Sequence, residues 1–130
     1  GGTEATVGVL GNFRDQKLYT LPAIEIIPLP EHDFFTTENK YDGSTTELVP
    51  GRFSPSVKAE MARLAALAHD VIGCDQYSRS DFLIKNGEVY FLEINTLPGL
   101  TNESLFPKSA EAIGLGFNSL VYHLIETAGV

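Results

Sequence analysis

The chain has 130 residues, 43% of them hydrophobic and 20% charged, and a formal net charge of −8. That length suits one domain able to bury about two-thirds of its unfolded surface, and the composition excludes a disordered chain. The acidic balance weighs against a nucleic-acid partner, because phosphate backbones need a basic surface, and no apolar run approaches the length that spans a bilayer. A nucleotide remains compatible, since bound magnesium reverses the local field. Gly1-Gly2-Thr3-Glu4 shows neither the basic start nor the apolar segment of a signal peptide, so a cytoplasmic location is expected. Cys74 is the single cysteine. It allows no internal disulfide and reads as a buried structural thiol rather than a nucleophile.

In chain order, Ala5 to Leu10 predicts a strand with Gly11-Asn12 as its turn, and Ala23 to Ile27 a second strand between prolines. From Phe35 to Pro55 neither helical nor strand periodicity persists, which predicts a long polar loop of functional interest. Ser54-Pro55 then starts a helix, serine as N-cap and proline at the first helical position. Val57, Met61, Leu64, Ala68, Val71 and Ile72 form its apolar stripe, and Gly73 stops it. His69 near its end reads as a solvated, dipole-favoured residue. A hairpin follows, Gln76 to Ile84 and Glu88 to Ile94 around Asn86-Gly87, then an irregular stretch from Thr96 to Leu105. Two helices close the chain, near Pro107 to Ile113 and Asn118 to Ala128. The second takes its apolar face from Phe117, Leu120, Val121, Leu124, Ile125 and Ala128. Partly segregated strands and helices predict an α+β domain built on a mainly antiparallel sheet.

The hairpin carries the chemistry. Arg79 and Asp81 share one face of the first strand, and Glu93 and Asn95 share one face of the second, because side chains alternate along a strand. A two-residue Asn86-Gly87 turn would set Asp81 and Glu93 on opposite faces. A three-residue Lys85-Asn86-Gly87 loop would pair Arg79 with Glu93 and Asp81 with Phe91, leaving all four polar residues together. The second register is expected, since it also gathers Phe82, Ile84, Tyr90, Leu92 and Ile94 on the other face. Two carboxylates and an amide oxygen suit magnesium, which keeps waters and shares its site with phosphates. On the hairpin alone, an Arg79–Glu93 ion pair beside a solvated Asp81 accounts for the same residues.

The order of motifs adds to this. Lys40-Tyr41, Arg79-x-Asp81, Glu93-x-Asn95-Thr96-x-Pro98-Gly99-x-Thr101 and Ser104-Leu105-x-Pro107, with Gly2-Thr3-Glu4-x-Thr6-Val7 upstream, resemble the D-alanine–D-alanine ligases of the ATP-grasp superfamily over essentially the whole chain. The resemblance implies an ATP-grasp C-terminal subdomain, with the N-terminal and central domains outside this sequence. It implies ATP and two magnesium ions (manganese as a substitute) as cofactors and D-alanine as substrate, with no membrane partner and room for a homodimer at full length. Glu4 would bind the ribose of ATP, Phe34 and Leu83 the adenine, and Lys40 the terminal phosphate. Tyr41 would order the first D-alanine site. Asp81 and Glu93 would hold one magnesium, and Glu93 with Asn95 a second. Arg79 and the Gly99 N–H would stabilise the tetrahedral oxyanion. Ser104 and the Leu105 N–H would bind the second D-alanine's carboxylate, although Ser104 also reads as a helix cap. Ser78 and Ser80 depart from the family's residues around the arginine, on the face turned from the metal. Another ATP-grasp carboxylate–amine ligase, one using D-lactate included, and a non-catalytic domain of the same fold are the competing readings.

Overall fold

The structure is a computed structural model, and it describes residues 1–28 and 46–128. Six strands form one antiparallel sheet: β1 (Thr3–Phe13), β2 (Gln16–Thr20), β3 (Ile24–Ile27), β4 (Thr46–Leu48), β5 (Tyr77–Lys85) and β6 (Glu88–Asn95). Their order is β4-β3-β1-β5-β6, and β2 pairs with the far end of β1 beyond β3. Three helices complete the described residues: α1 (Pro55–Ile72), α2 (Leu105–Glu111) and α3 (Phe117–Glu126). The expected α+β architecture is therefore present.

β1 is longer than its apolar run. It continues through Gly11 and Asn12 and turns at Arg14 and Asp15, whose φ values of 50° and 63° place them in the left-handed region of a tight hairpin. The turn expected at Gly11-Asn12 thus falls inside the strand, and β2 follows it where no strand was expected. β1 sits centrally, and its alternation gives the sheet two unlike faces. Ala5, Val7 and Val9 point to one side, where they pack with Phe82 of β5 against Val57, Met61 and Ala65 of α1. Glu4, Thr6, Gly8 and Leu10 occupy the other, whose Leu10 end is covered by Leu21, Phe106, Leu120 and Leu124.

α1 begins and ends as its sequence implies. Ser54 Oγ accepts from the Val57 N–H at 3.3 Å, and Gly73 adopts φ 84° as its left-handed cap. Its buried line is Val57, Met61, Ala65 and His69, a strict four-residue spacing. Val71 and Ile72, expected on the buried stripe, are 73% and 58% exposed instead, on the flank of α1 that lines an open apolar groove with Phe91 and Ile94. His69 is buried rather than solvated. Its Nδ1 lies 2.7 Å from Ser78 Oγ and its Nε2 3.1 Å from the Asp75 carbonyl. The tautomer protonated at Nε2 satisfies both partners.

α2 is held on the open side by close packing. Phe106 is 1% exposed, and its ring lies over Gly8. A Cβ on Gly8 would stand 2.8 Å from Phe106 Cδ2 and Cε2, closer than carbon atoms approach. The Ser109 hydroxyl donates to the Pro22 carbonyl, and Lys108 pairs with Glu47 of β4, so α2 is tied to two further segments. Gly8→Ala should therefore overpack this contact and destabilise the domain by about 1–3 kcal/mol in urea unfolding. Wild-type stability in that variant would show that α2 is not seated on Gly8.

Candidate active site

The β5–β6 hairpin differs from its expected register. Lys85 pairs with Glu88, which leaves Asn86-Gly87 as a two-residue turn with φ values of 53° and 77°, a type I′ geometry. The register continues regularly to Phe82–Phe91 and then shifts, so that Asp81 stands opposite Glu93 and Arg79 opposite Asn95. The three-residue loop, the Arg79–Glu93 pair and the Asp81–Phe91 pair are thus corrected. What restores the shared face is a β-bulge at Leu92, the one residue of β6 without a partner here. Cross-strand partners project to the same side, so Arg79, Asp81, Glu93 and Asn95 do share one face, by a different route. The bulge also redistributes the apolar residues. Phe91 and Val89 join Phe82, Ile84 and Ile94 on the α1 side, whereas Tyr90, opposite Leu83, moves to the polar face.

The same face extends across the sheet. Thr6 of β1 is the partner of Asp81, and Glu4 is the partner of Leu83. Glu4, exposed although on a central strand, half-buried Leu83 and the four hairpin residues therefore lie on one surface. Arg79 and Asp81 are 21% and 23% exposed and joined to each other: Nε to Oδ1 at 3.1 Å and Nη2 to Oδ2 at 3.3 Å. Arg79 thus pairs along its own strand rather than across to Glu93, which is exposed. Thr6 Oγ1 adds a 2.7 Å hydrogen bond to Asp81 Oδ1. Asn95 Oδ1 accepts from the Leu97 N–H at 2.9 Å, which turns the chain out of β6.

Beyond that turn, Pro98 is buried and its carbonyl accepts from the Tyr77 hydroxyl at 3.4 Å. Tyr77 follows Arg79 along the same face of β5, so the loop is attached beside the arginine. Burial raises the Tyr77 phenol above its ordinary pKa and keeps it a donor. A Cβ on Gly99 would stand 2.9 Å from Ser104 Oγ, which places the two expected substrate residues side by side. Ser104 occupies the N-cap position of α2 but does not cap it. Its hydroxyl lies 2.7 Å from Thr101 Oγ1 and accepts from the Thr101 N–H at 3.1 Å. The first N–H groups of α2, Leu105 included, receive nothing from Ser104's side chain.

Phe34, Lys40 and Tyr41 lie outside the described residues. Among the described residues, no three His, Cys, Asp or Glu side chains cluster closely enough to hold a metal by themselves. The donor set here is two carboxylates and an amide, which fits a magnesium ion that takes its remaining oxygens from phosphate and water. Thr6 and Tyr77, which contact Asp81 and Pro98, are candidate site residues that the sequence did not single out. For Thr6 the signal was its two-residue spacing from Glu4 within an otherwise apolar strand. Ser78 and Ser80 are buried on the α1 side, as expected from their alternation with Arg79 and Asp81.

The antiparallel sheet, with a long helix on one face and this polar row on the other, has the fold of solved ATP-grasp ligases. The family model "D-ala D-ala ligase C-terminus" matches residues 1–126, and the chain belongs to that family. It is 41% identical over 128 residues to a D-alanine–D-alanine ligase of Syntrophobacter fumaroxidans, covering 98% of this chain and 40% of the relative. It is 44% identical to one of Leptospira interrogans, covering 96% of this chain and 36% of that relative. Among solved structures, a D-alanine–D-alanine ligase of Bacillus anthracis complexed with ATP superposes with a TM-score of 0.78 at 34% identity. That match covers 98% of this chain and 38% of the other. The chain therefore spans about two-fifths of the length of these relatives, and no helix among its described residues is long and apolar enough to cross a membrane.

Cys74 stands apart from this surface, at the end of α1. Burial pushes its thiol above the ordinary cysteine value, against smaller opposing hydrogen bonds. A raised thiol pKa means little thiolate at neutral pH. Alkylation by iodoacetamide at pH 7 should be slower than that of free cysteine and should accelerate only above the ordinary thiol pKa of about 8.5. Rapid modification at pH 7 would contradict this.

Proposed function

We propose that this chain is the metal-holding, catalytic C-terminal part of an ATP-dependent D-alanine–D-alanine ligase, making D-alanyl-D-alanine for peptidoglycan precursors in the bacterial cytoplasm. The observation that carries the reading is the placement of Asp81 opposite Glu93 and Arg79 opposite Asn95 on the sheet face turned away from α1. Family membership and the ATP-bound relative support it.

On this reading, the carboxylate of the first D-alanine attacks the terminal phosphorus of ATP, the bond to ADP breaks, and an acyl phosphate forms. The amine of the second D-alanine then attacks the acyl carbon, and phosphate leaves with the dipeptide formed. Asp81, Glu93 and Asn95 would hold magnesium, which when bound offsets negative charge on the phosphates. Glu4 would accept hydrogen bonds from the ribose, while Leu83 offers an apolar surface to the base. Arg79 and the Gly99 N–H would meet the oxyanion that develops as the amine attacks. Ser104 and the Leu105 N–H would receive the second substrate's carboxylate. An N–H not committed to a cap is suited to that task. Lys40, Tyr41 and Phe34 would act from their segment as the family pattern assigns. The remaining lysines for ATP and most of the first D-alanine site would come from the N-terminal and central domains.

Three outcomes are expected. The isolated chain should have no ligase turnover and weak ATP affinity; robust dipeptide formation by these residues alone would overturn the division of labour. The full-length protein, given ATP and a panel of amino acids with D-lactate, should yield D-alanyl-D-alanine and ADP, identified by mass spectrometry. A different amide or an ester as the sole product would point instead to another ATP-grasp ligase, and no product would favour a binding domain. In that protein Arg79→Ala should lower kcat by about 100- to 1,000-fold, the usual effect of removing one oxyanion donor. A change confined to KM would place the arginine elsewhere in the cycle.

A further inference from the structure

We infer that Thr6 is a positioning residue for Asp81, and that its hydroxyl fixes which carboxylate oxygen is offered to a divalent cation. This rests on the magnesium reading proposed above. Thr6 lies on the central strand, is 3% exposed and stands directly across from Asp81. Its Oγ1 is 2.7 Å from Asp81 Oδ1 and 3.1 Å from the Ser80 carbonyl. One hydroxyl carries one proton, and between a neutral carbonyl and an ionised carboxylate the shorter, charge-assisted bond takes it.

The consequence is an asymmetry between the two oxygens of Asp81. Oδ1 receives both Thr6 and the Nε of Arg79, at 2.7 and 3.1 Å, while Oδ2 has only Arg79 Nη2 at 3.3 Å. Oδ2 is thus the less engaged oxygen and the better metal donor. Holding Oδ1 sets the torsion of the whole carboxylate. Threonine suits the task because its branched Cβ restricts χ1, so the donor itself is fixed by the strand. Valine would satisfy the strand equally well, as Val7 and Val9 do on the same element. A buried hydroxyl is disfavoured unless bonded, and here the bond goes to a candidate ligand. Groups that orient a metal ligand from behind typically contribute 10- to 100-fold in metal affinity.

The test is manganese binding to the full-length protein in the presence of ATP, read by electron paramagnetic resonance or water-proton relaxation. Thr6→Val should weaken manganese by about 10-fold while metal-free ATP binding stays within about twofold, and Thr6→Ser should restore affinity to within about twofold of the parent. Parent-like manganese affinity in Thr6→Val, or equal weakening in Thr6→Ser, overturns the inference. Asp81→Asn separates the two layers. If it binds manganese like the parent, the cation is not at Asp81 and the magnesium reading fails together with this inference. If Asp81→Asn loses manganese and Thr6→Val does not, only the role of Thr6 fails. Should Thr6→Val not fold by circular dichroism, Thr6→Ala removes the same hydroxyl with less apolar bulk and is measured in its place.

Discussion

Two carboxylates can share a cation only if they project from the same side of a sheet, and in this hairpin that depends on one unpaired residue. With a regular ladder from the Asn86-Gly87 turn, Asp81 would face Leu92, and Glu93 and Asn95 would point into the α1 core. The bulge at Leu92 advances β6 by one residue, so that Glu93 meets Asp81 and Asn95 meets Arg79. Burying a carboxylate without a partner under α1 would be costly, and so would exposing Ile94 in its place. Hydrophobic patterning on both sides of the bulge therefore specifies it. Phe82 and Phe91 pack edge to face at 5.7 Å below the shift, and Ile94 opposes buried Ser80 above it.

The two faces of the sheet serve different ends, and β1 separates them. Its Ala5, Val7 and Val9 side is closed by α1 and supplies the principal core. The other side tolerates Thr6, Asp81 and Arg79 at a central position because Asp81 accepts hydrogen bonds from both of the others. There the charges are partly exposed and paired, and each polar atom of Asp81 has a donor. The departure from family pattern at Ser78 and Ser80 falls on the closed side. Ser78 is absorbed by His69, so its hydroxyl is satisfied. Among the described residues Ser80 Oγ has no hydrogen-bond partner, and a buried hydroxyl left unpaired costs stability.

Much of this was legible in the residues, and the exceptions have physical causes. α1 carried its own start and stop in Ser54-Pro55 and Gly73, and both act as the sequence implies. β2 was not legible because Gln16 to Thr20 has little apolar alternation and is ordered by pairing with β1. β4 is three residues long and lies beside polar sequence, too short to show a period. The bulge left no mark either: a period of two cannot distinguish a longer turn from an extra residue further along, since each shifts the register by one. His69 was misread because a lone histidine near a helix end fits both water and core. What decides it is Ser78, on the next element β5, whose hydroxyl meets the imidazole. The roles expected of Arg79, Asp81, Glu93 and Asn95 are those that the family resemblance implies, carried by the Pro98-Gly99 and Ser104-Leu105 motifs, while Thr6 emerges only from the pairing of β1 with β5.

The segment between β6 and α2 has almost no regular secondary structure, yet its backbone is the part assigned to the reacting groups. Such a segment can present donors accurately only if it is fixed at several points. Asn95 turns it at one end through the Leu97 N–H, and Tyr77 holds Pro98 against the sheet. At the other end Phe106 sits on Gly8, while Ser104 and Thr101 close the last turn between them. The anchors at Asn95, Pro98 and Phe106 reach β6, β5 and β1, the strands that also carry Glu93, Asp81 and Thr6. The backbone proposed to meet substrate and the candidate metal ligands therefore share one support. A shift of α2 would move Leu105 relative to Arg79, which makes the buried Gly8–Phe106 contact part of the geometry of the site as well as of the core.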